Sequence, residues 1–111
     1  MSFEFNGKII ETDEEGFLLN MSDWSRELAV FMAQQDGYIE LTPAHWEIID
    51  LVREWYAEYE TSPNHRVLTK LVAKSLGRDK GNTKYLQELF PWAPGKDAAR
   101  YSGLDKPVGE V

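Results

Sequence analysis

Apolar residues recur along this chain with two periods, about two near the amino end and about 3.6 after it. Phe3 and Phe5 flank Glu4, the alternation of a strand with one buried face. Asn6-Gly7 follows, a pair that tolerates the positive φ of a tight hairpin turn, and Lys8 to Thr12 reads as the returning strand. Asp13-Glu14-Glu15-Gly16 is a second turn, and Phe17-Leu18-Leu19 a short third strand. A three-stranded meander of this size needs helices to pack on.

The helical period begins after Ser22 or Asp23, either of which caps a helix running to about Gln35 and stopped by Gly37. Its inner face is Trp24, Leu28, Phe31 and Met32. The broadest apolar stripe lies in the stretch Leu41 to Pro63. Thr42-Pro43 is a helix start, a capping hydroxyl followed by a proline where a donor has no partner anyway. Trp46, Ile48, Ile49, Leu51, Val52, Trp55, Tyr56 and Tyr59 then cover about half the circumference, so this helix, Trp46 and Trp55 included, is read as the core of the fold. It stops at Ser62-Pro63. A third helix runs from there to Gly77, with Val67, Leu68, Leu71, Val72 and Leu76 inward and Arg66, Lys70 and Lys74 as one exposed basic stripe. Asn82 caps a shorter helix stopped by Pro91, and Lys96 to Tyr101 reads as one or two further turns. Gly103 to Val111 has too little to bury and reads as a mobile arm. The expectation is one α+β domain: a β meander at 1–20 packed on an array of about five helices at 21–102, with an arm at 103–111.

Composition agrees with a globular domain: 42% of the 111 residues are hydrophobic, with four Trp, five Tyr and five Phe. No apolar run is long enough to span a membrane, and MSFEFNGKII lacks the pattern of a secretory signal, so the cytoplasm is expected. The net charge of −7 is unevenly spread. Residues 1–60 hold three basic and fourteen acidic side chains, whereas residues 61–85 hold six basic and one acidic. Such segregation implies either an anionic partner surface or internal pairing.

There is no cysteine, which excludes disulfides, thiolate metal sites and any thiol nucleophile. His45 and His65 are the only histidines. Without cysteine or HExxH spacing they predict no metal site, and no cofactor is expected. His45, in a first helical turn, reads as a surface or packing residue. Neither a phosphate-binding glycine loop nor GxSxG is present. Asp13-Glu14-Glu15 reads as a solvated turn. The pair 63–76 and 82–90 resembles a helix-turn-helix, with Asn82, Thr83, Lys84 and Gln87 near the start of its second helix. A nucleic-acid-binding regulator using 63–90 is therefore the alternative reading, opposed by the acidic balance of the chain.

Several stretches together carry a family resemblance: GK followed by TDEEGFL, DW with the following LA, LTPAHWEII, SPNHRVLTK, KYLQELFP and GLDKPVGEV. On these, essentially the whole chain resembles the TusE/DsrC family, which includes the gamma subunit of dissimilatory sulfite reductase. The resemblance implies a β meander on a helical array. It also implies a relay in which a persulfide, carried on a cysteine one residue from the end of a mobile arm, passes between partner proteins. The settings are tRNA 2-thiouridine synthesis, from the TusBCD complex to the thiouridylase, and dissimilatory sulfur metabolism. Many members have a second cysteine eleven positions earlier. Here those positions are Glu110 and Ala99, and the family's GLPKP reads GLDKP at Asp105. A persulfide needs a thiolate sulfur, so the expected role is partner binding or regulation without sulfur transfer, and whether the chain is an enzyme stays open. The expected docking residues are Arg66, Lys70, Lys84, Lys106 and Glu110, and the expected partners are sulfur-relay or sulfite-reductase-type proteins.

Overall fold

Phe3 packs beside Phe31 with ring centroids 5.7 Å apart, and Phe5 lies 5.2 Å from the same ring. This contact seats the amino-terminal hairpin on the helices in the computed structural model, which describes residues 1–109. Strands β1 (Ser2–Phe5) and β2 (Lys8–Glu11) pair antiparallel, Phe3 opposite Ile10, around the Asn6-Gly7 turn. The third strand is reduced to one bridge, Thr12 to Leu18. The Asp13 carboxylate is the reason: its Oδ1 accepts from Glu15 N at 2.9 Å and Phe17 N at 3.0 Å, curling the chain where a ladder would continue.

Five helices follow a 3-10 turn at Met21–Asp23: α1 (Arg26–Gln35), α2 (Pro43–Tyr59), α3 (His65–Leu76), α4 (Thr83–Leu89) and α5 (Pro94–Tyr101). The first four start at side-chain caps and α5 at Pro94 without one, but two of the capped starts fall later than the sequence reading put them. Ser25 caps α1 by accepting from Leu28 N at 3.0 Å, because Asn20 holds Ser22 and Asp23 in the separate 3-10 turn. Trp24 lies between the two in extended conformation, so it precedes α1. Asn64 caps α3 by accepting from Val67 N at 3.0 Å. The start of α2 is at Thr42-Pro43 as expected. Its end comes earlier, at Tyr59, because Glu60 turns left-handed.

His45 is no surface residue. It is 8% exposed, its Nδ1 accepts from Thr42 N at 3.0 Å and its Nε2 donates to Leu89 O at 2.7 Å. The imidazole therefore closes the capping box of α2 and ties it to the end of α4. The inner surface of α2 is Ile48, Ile49 and Val52, while Trp46 and Trp55 are only half-buried. Trp46 lies under the Arg26 guanidinium at 4.0 Å.

The element packed against most others is α5, read from sequence as one or two turns in a polar tail. It touches α1, α2, α3 and α4, and Pro94, Gly95, Asp97, Ala98, Ala99 and Tyr101 are all buried. Small side chains let four helices approach it closely, so its burial comes from its neighbours rather than from its own apolar content. Around it gather Leu28, Met32, Ile48, Val52, Leu68, Val72, Leu86 and Phe90. No helix of the described residues is long and apolar enough to cross a membrane.

Candidate functional site: the carboxyl-terminal segment and the basic face

Helix α5 ends in a Schellman motif. Gly103 N donates to Arg100 O and Leu104 N to Ala99 O, each at 3.1 Å. Gly103 has φ +73°, and a Cβ there would lie 2.4 Å from Trp24 Cδ1. Only glycine allows the left-handed turn and this approach of the indole together. The carbonyls beyond the motif are also bound. Trp24 Nε1 donates to Tyr101 O at 2.7 Å, and Arg53 Nη1 to Ser102 O at 2.6 Å. The Arg53 guanidinium stacks 3.8 Å over Trp24, and burial holds its pKa below the usual arginine value.

Past Gly103 the chain is seated on the body. Leu104 is 5% exposed and Pro107 is buried, which corrects the expectation that this stretch has too little to bury. Ser62 Oγ donates to Asp105 O at 2.6 Å, Tyr56 OH to Asp105 Oδ2 at 3.0 Å, and Asn64 Nδ2 to Val108 O at 3.3 Å. Burial, and then the bond to Asp105, push the Tyr56 phenol up. Lys106 Nζ reaches Glu15 Oε1 at 2.9 Å, and Lys96 lies 3.5 Å from Glu15 Oε2. The hydrogen bond from Lys106 lowers the Glu15 carboxyl. Two of the positions named from sequence are thereby placed. Ala99 is 1% exposed within α5, and Lys106 already has a carboxylate partner. Glu110 lies outside the described residues.

Arg66, Lys70 and Lys84 are exposed. His65 Nε2 lies 3.1 Å from Thr83 Oγ1, setting the start of α4 beside the start of α3, so Arg66 and Lys84 are each one residue from that contact. Of the six lysines and arginines in 61–85, only Lys80 pairs with an acid among the described residues, Glu47 at 3.0 Å. Arg66, Lys70, Lys74, Arg78 and Lys84 are all exposed and form no salt bridge among the described residues. Every other lysine is paired, as are Arg26 and Arg100, while Arg53 lies on Trp24. Internal pairing thus fails to account for the charge segregation. Asn82, one of the four residues near the start of the second helix of the helix-turn-helix-like pair, has its side chain occupied locally: Oδ1 accepts from Tyr85 N, and Nδ2 donates to Arg78 O and Asp79 O.

A third cluster was not foreseen. At the joint of α1 and α5, Asp36 accepts from Arg100 and, at 2.5 Å, from the Tyr101 hydroxyl. Arg100 also lies 3.3 Å from Asp97. Burial raises Asp97 above the ordinary carboxylate value, with Arg100 opposing, and burial and then the bond to Asp36 push Tyr101 far up. These groups satisfy one another, which is what a structural joint requires. Among the described residues, no three His, Asp or Glu side chains are placed to hold a metal ion.

The likeness to known proteins extends over nearly the whole chain. A family model described as DsrC like protein matches residues 4–111. The sulfurtransferase TusE of Yersinia pseudotuberculosis is 50% identical over 105 residues, 95% of this chain and 96% of that protein. Its counterpart in Escherichia coli K12 is 50% identical over 104 residues, 94% of each. The chain belongs to the DsrC-like family. The fold of this DsrC-like chain agrees with solved relatives along its whole length. Allochromatium vinosum DsrC is similar at a TM-score of 0.87 and 51% identity, with 100% of both chains covered. The oxidized gamma subunit of dissimilatory sulfite reductase from Archaeoglobus fulgidus is similar at 0.83 and 38%, again with full coverage of both.

Proposed function

We propose that this DsrC-like chain binds the partners of a cytoplasmic sulfur relay without itself carrying sulfur. One observation carries the reading: a chain about half identical to sulfurtransferases from end to end contains no cysteine. Persulfide transfer begins when a thiolate attacks the outer sulfur of a donor persulfide and displaces the donor thiolate. The carboxylate of Glu110 forms no transferable bond to sulfur, and the thioethers of Met1, Met21 and Met32 have no thiolate state.

What the chain retains supports binding. The seat of the carboxyl-terminal segment is built from Glu15, Trp24, Arg53, Tyr56, Ser62 and Asn64, and the exposed cations Arg66, Lys70 and Lys84 have no acidic partner among the described residues. Glu110 presents a negative group at the position where the family resemblance puts the sulfur, a charge like that of a thiolate or persulfide. In this reading it holds the partner in the complex that a loaded carrier would form.

The test exposes the parent and Glu110→Cys to inorganic polysulfide and weighs both by intact mass spectrometry. The parent should gain nothing, and the variant one sulfur atom that a reductant removes. A reductant-labile sulfur on the parent would overturn the non-carrying role. For the charge-mimic role, Glu110→Gln should bind a relay partner more weakly than the parent, and Glu110→Asp should lie between them. Equal binding by Glu110→Gln removes that role.

A further inference from the structure

Between the carboxyl-terminal half of α2 and the exposed side of α3 lies a groove of about 380 Å³, lined by Trp55, Tyr59, Val67, Lys70, Leu71 and Lys74. Its volume falls within the ~300–1,000 Å³ usual for binding clefts. The floor is apolar. The Trp55 and Tyr59 rings meet tilted at 42° with centroids 4.2 Å apart, and Tyr59 remains 52% exposed. The Trp55 indole N–H is buried without an acceptor among the described residues, a donor that has lost water without a replacement there. Along the α3 side run Lys70 and Lys74, exposed and without acidic partners among the described residues, whereas the α2 side carries Glu58. The groove is thus apolar at the bottom, positive on one wall and negative on the other.

We propose that this groove docks an amphipathic segment of a partner protein, with apolar side chains placed between Trp55 and Leu71 and carboxylates against Lys70 and Lys74. Charge complementarity selects the occupant. In a chain of net charge −7, the exposed cations without an acidic partner among the described residues lie on 61–85, and two of them flank the open aromatic surface. An apolar floor favours a protein segment over a nucleic-acid strand, whose phosphates would meet Glu58 and whose affinity rests on dense positive charge. Helix-in-groove recognition has this form: apolar anchors seated in the cleft, with charges on the rim setting orientation. The inference deepens the partner-binding reading above by naming where the partner lies and what chemistry it shows.

The experiment titrates the full ¹⁵N-labelled chain with three probes. One is a synthetic helical peptide with leucines on one face and flanking glutamates, the second its lysine twin, the third a short single-stranded RNA. The glutamate peptide should shift the Trp55 indole and the amides of Tyr59 and Leu71, and the lysine twin should not. In Lys70→Glu/Lys74→Glu, whose altered side chains are exposed, its affinity should fall roughly ten-fold, the scale of two exposed ion pairs removed and reversed. Equal binding of the two peptides overturns the proposal, as does an RNA that shifts these residues. Absence of groove shifts at about millimolar glutamate peptide, the weak limit of useful affinity, overturns it too. Failure here leaves the non-carrying role standing, because that role is read from the mass of the parent and Glu110→Cys.

Discussion

Gly103→Ala should destabilise the protein by about 2–5 kcal/mol, from two causes that add. The first is backbone conformation: Gly103 holds φ +73°, where an L side chain costs roughly 1–2 kcal/mol. The second is space. A Cβ at this position would sit 2.4 Å from Trp24 Cδ1 and 2.6 Å from Trp24 Cβ and Cγ. Trp24 cannot yield cheaply, since its N–H holds Tyr101 O at 2.7 Å and Arg53 lies 3.8 Å over its ring. Overpacking against such a neighbour costs about 1–3 kcal/mol. Gly7 supplies the control, with a similar φ of +77° but nothing within 4 Å of the added carbon. Gly7→Ala should therefore lose only the backbone part, roughly 1–2 kcal/mol. Urea denaturation followed by tryptophan fluorescence, extrapolated linearly for parent and both variants, measures the two losses. Equal destabilisation by the two substitutions would refute the argument that Trp24 and the start of the carboxyl-terminal segment are packed against each other.

His45→Ala should cost about 2–3 kcal/mol, since it leaves Leu89 O and Thr42 N without their partners inside the fold; a loss under about 1 kcal/mol, the scale of surface changes, would contradict the buried capping box. Ile48→Ala should cost about 3–4 kcal/mol in chemical denaturation and exceed Trp46→Ala, because Ile48 is 0% exposed and Trp46 is not enclosed. The reverse order would return Trp46 to the core. The Glu15 pair has a pH signature. The folded-state carboxyl is lowered by Lys106, so its stabilisation is fully present above the ordinary carboxylate value and is lost as pH falls through the lowered folded value. The stability difference between parent and Lys106→Gln should then shrink under acid. A difference unchanged well below the carboxylate range would remove Glu15 as the partner.

Local chemistry alone determined much of this protein. The hairpin at Asn6-Gly7, the start of α2 at Thr42-Pro43 and the cap of α4 at Asn82 were legible because turns and caps depend on residues within a few positions. The family was legible for a related reason, since its stretches hold the capping and turn residues together with Trp24 and Gly103. Where several cappers stood close together the local signal was degenerate. Ser22, Asp23 and Ser25 all qualify for α1, and the Trp24 indole bound at Tyr101 O lies between the first two and the third. The third strand failed for a similar reason, since one carboxylate, Asp13, took the Phe17 amide that would have extended the ladder.

The rest was decided by the tertiary structure, through contacts between residues far apart in the chain. Hydrophobic periodicity measures what a helix brings to its own burial, and so it ranked α2 first and gave α5 no place in the core, although its small residues are buried by four neighbours. The seat of the carboxyl-terminal segment depends on Tyr56, Ser62 and Glu15 meeting Asp105 and Lys106 from 43 to 91 positions away. No local pattern encodes such pairings, because they exist only once the helices fix both ends in space. Charge divides the same way. Composition put six cations into residues 61–85. Folding alone settled that Glu47 neutralises Lys80 while the other five face solvent without a described acidic partner, because pairing depends on which carboxylates the packed helices bring within reach.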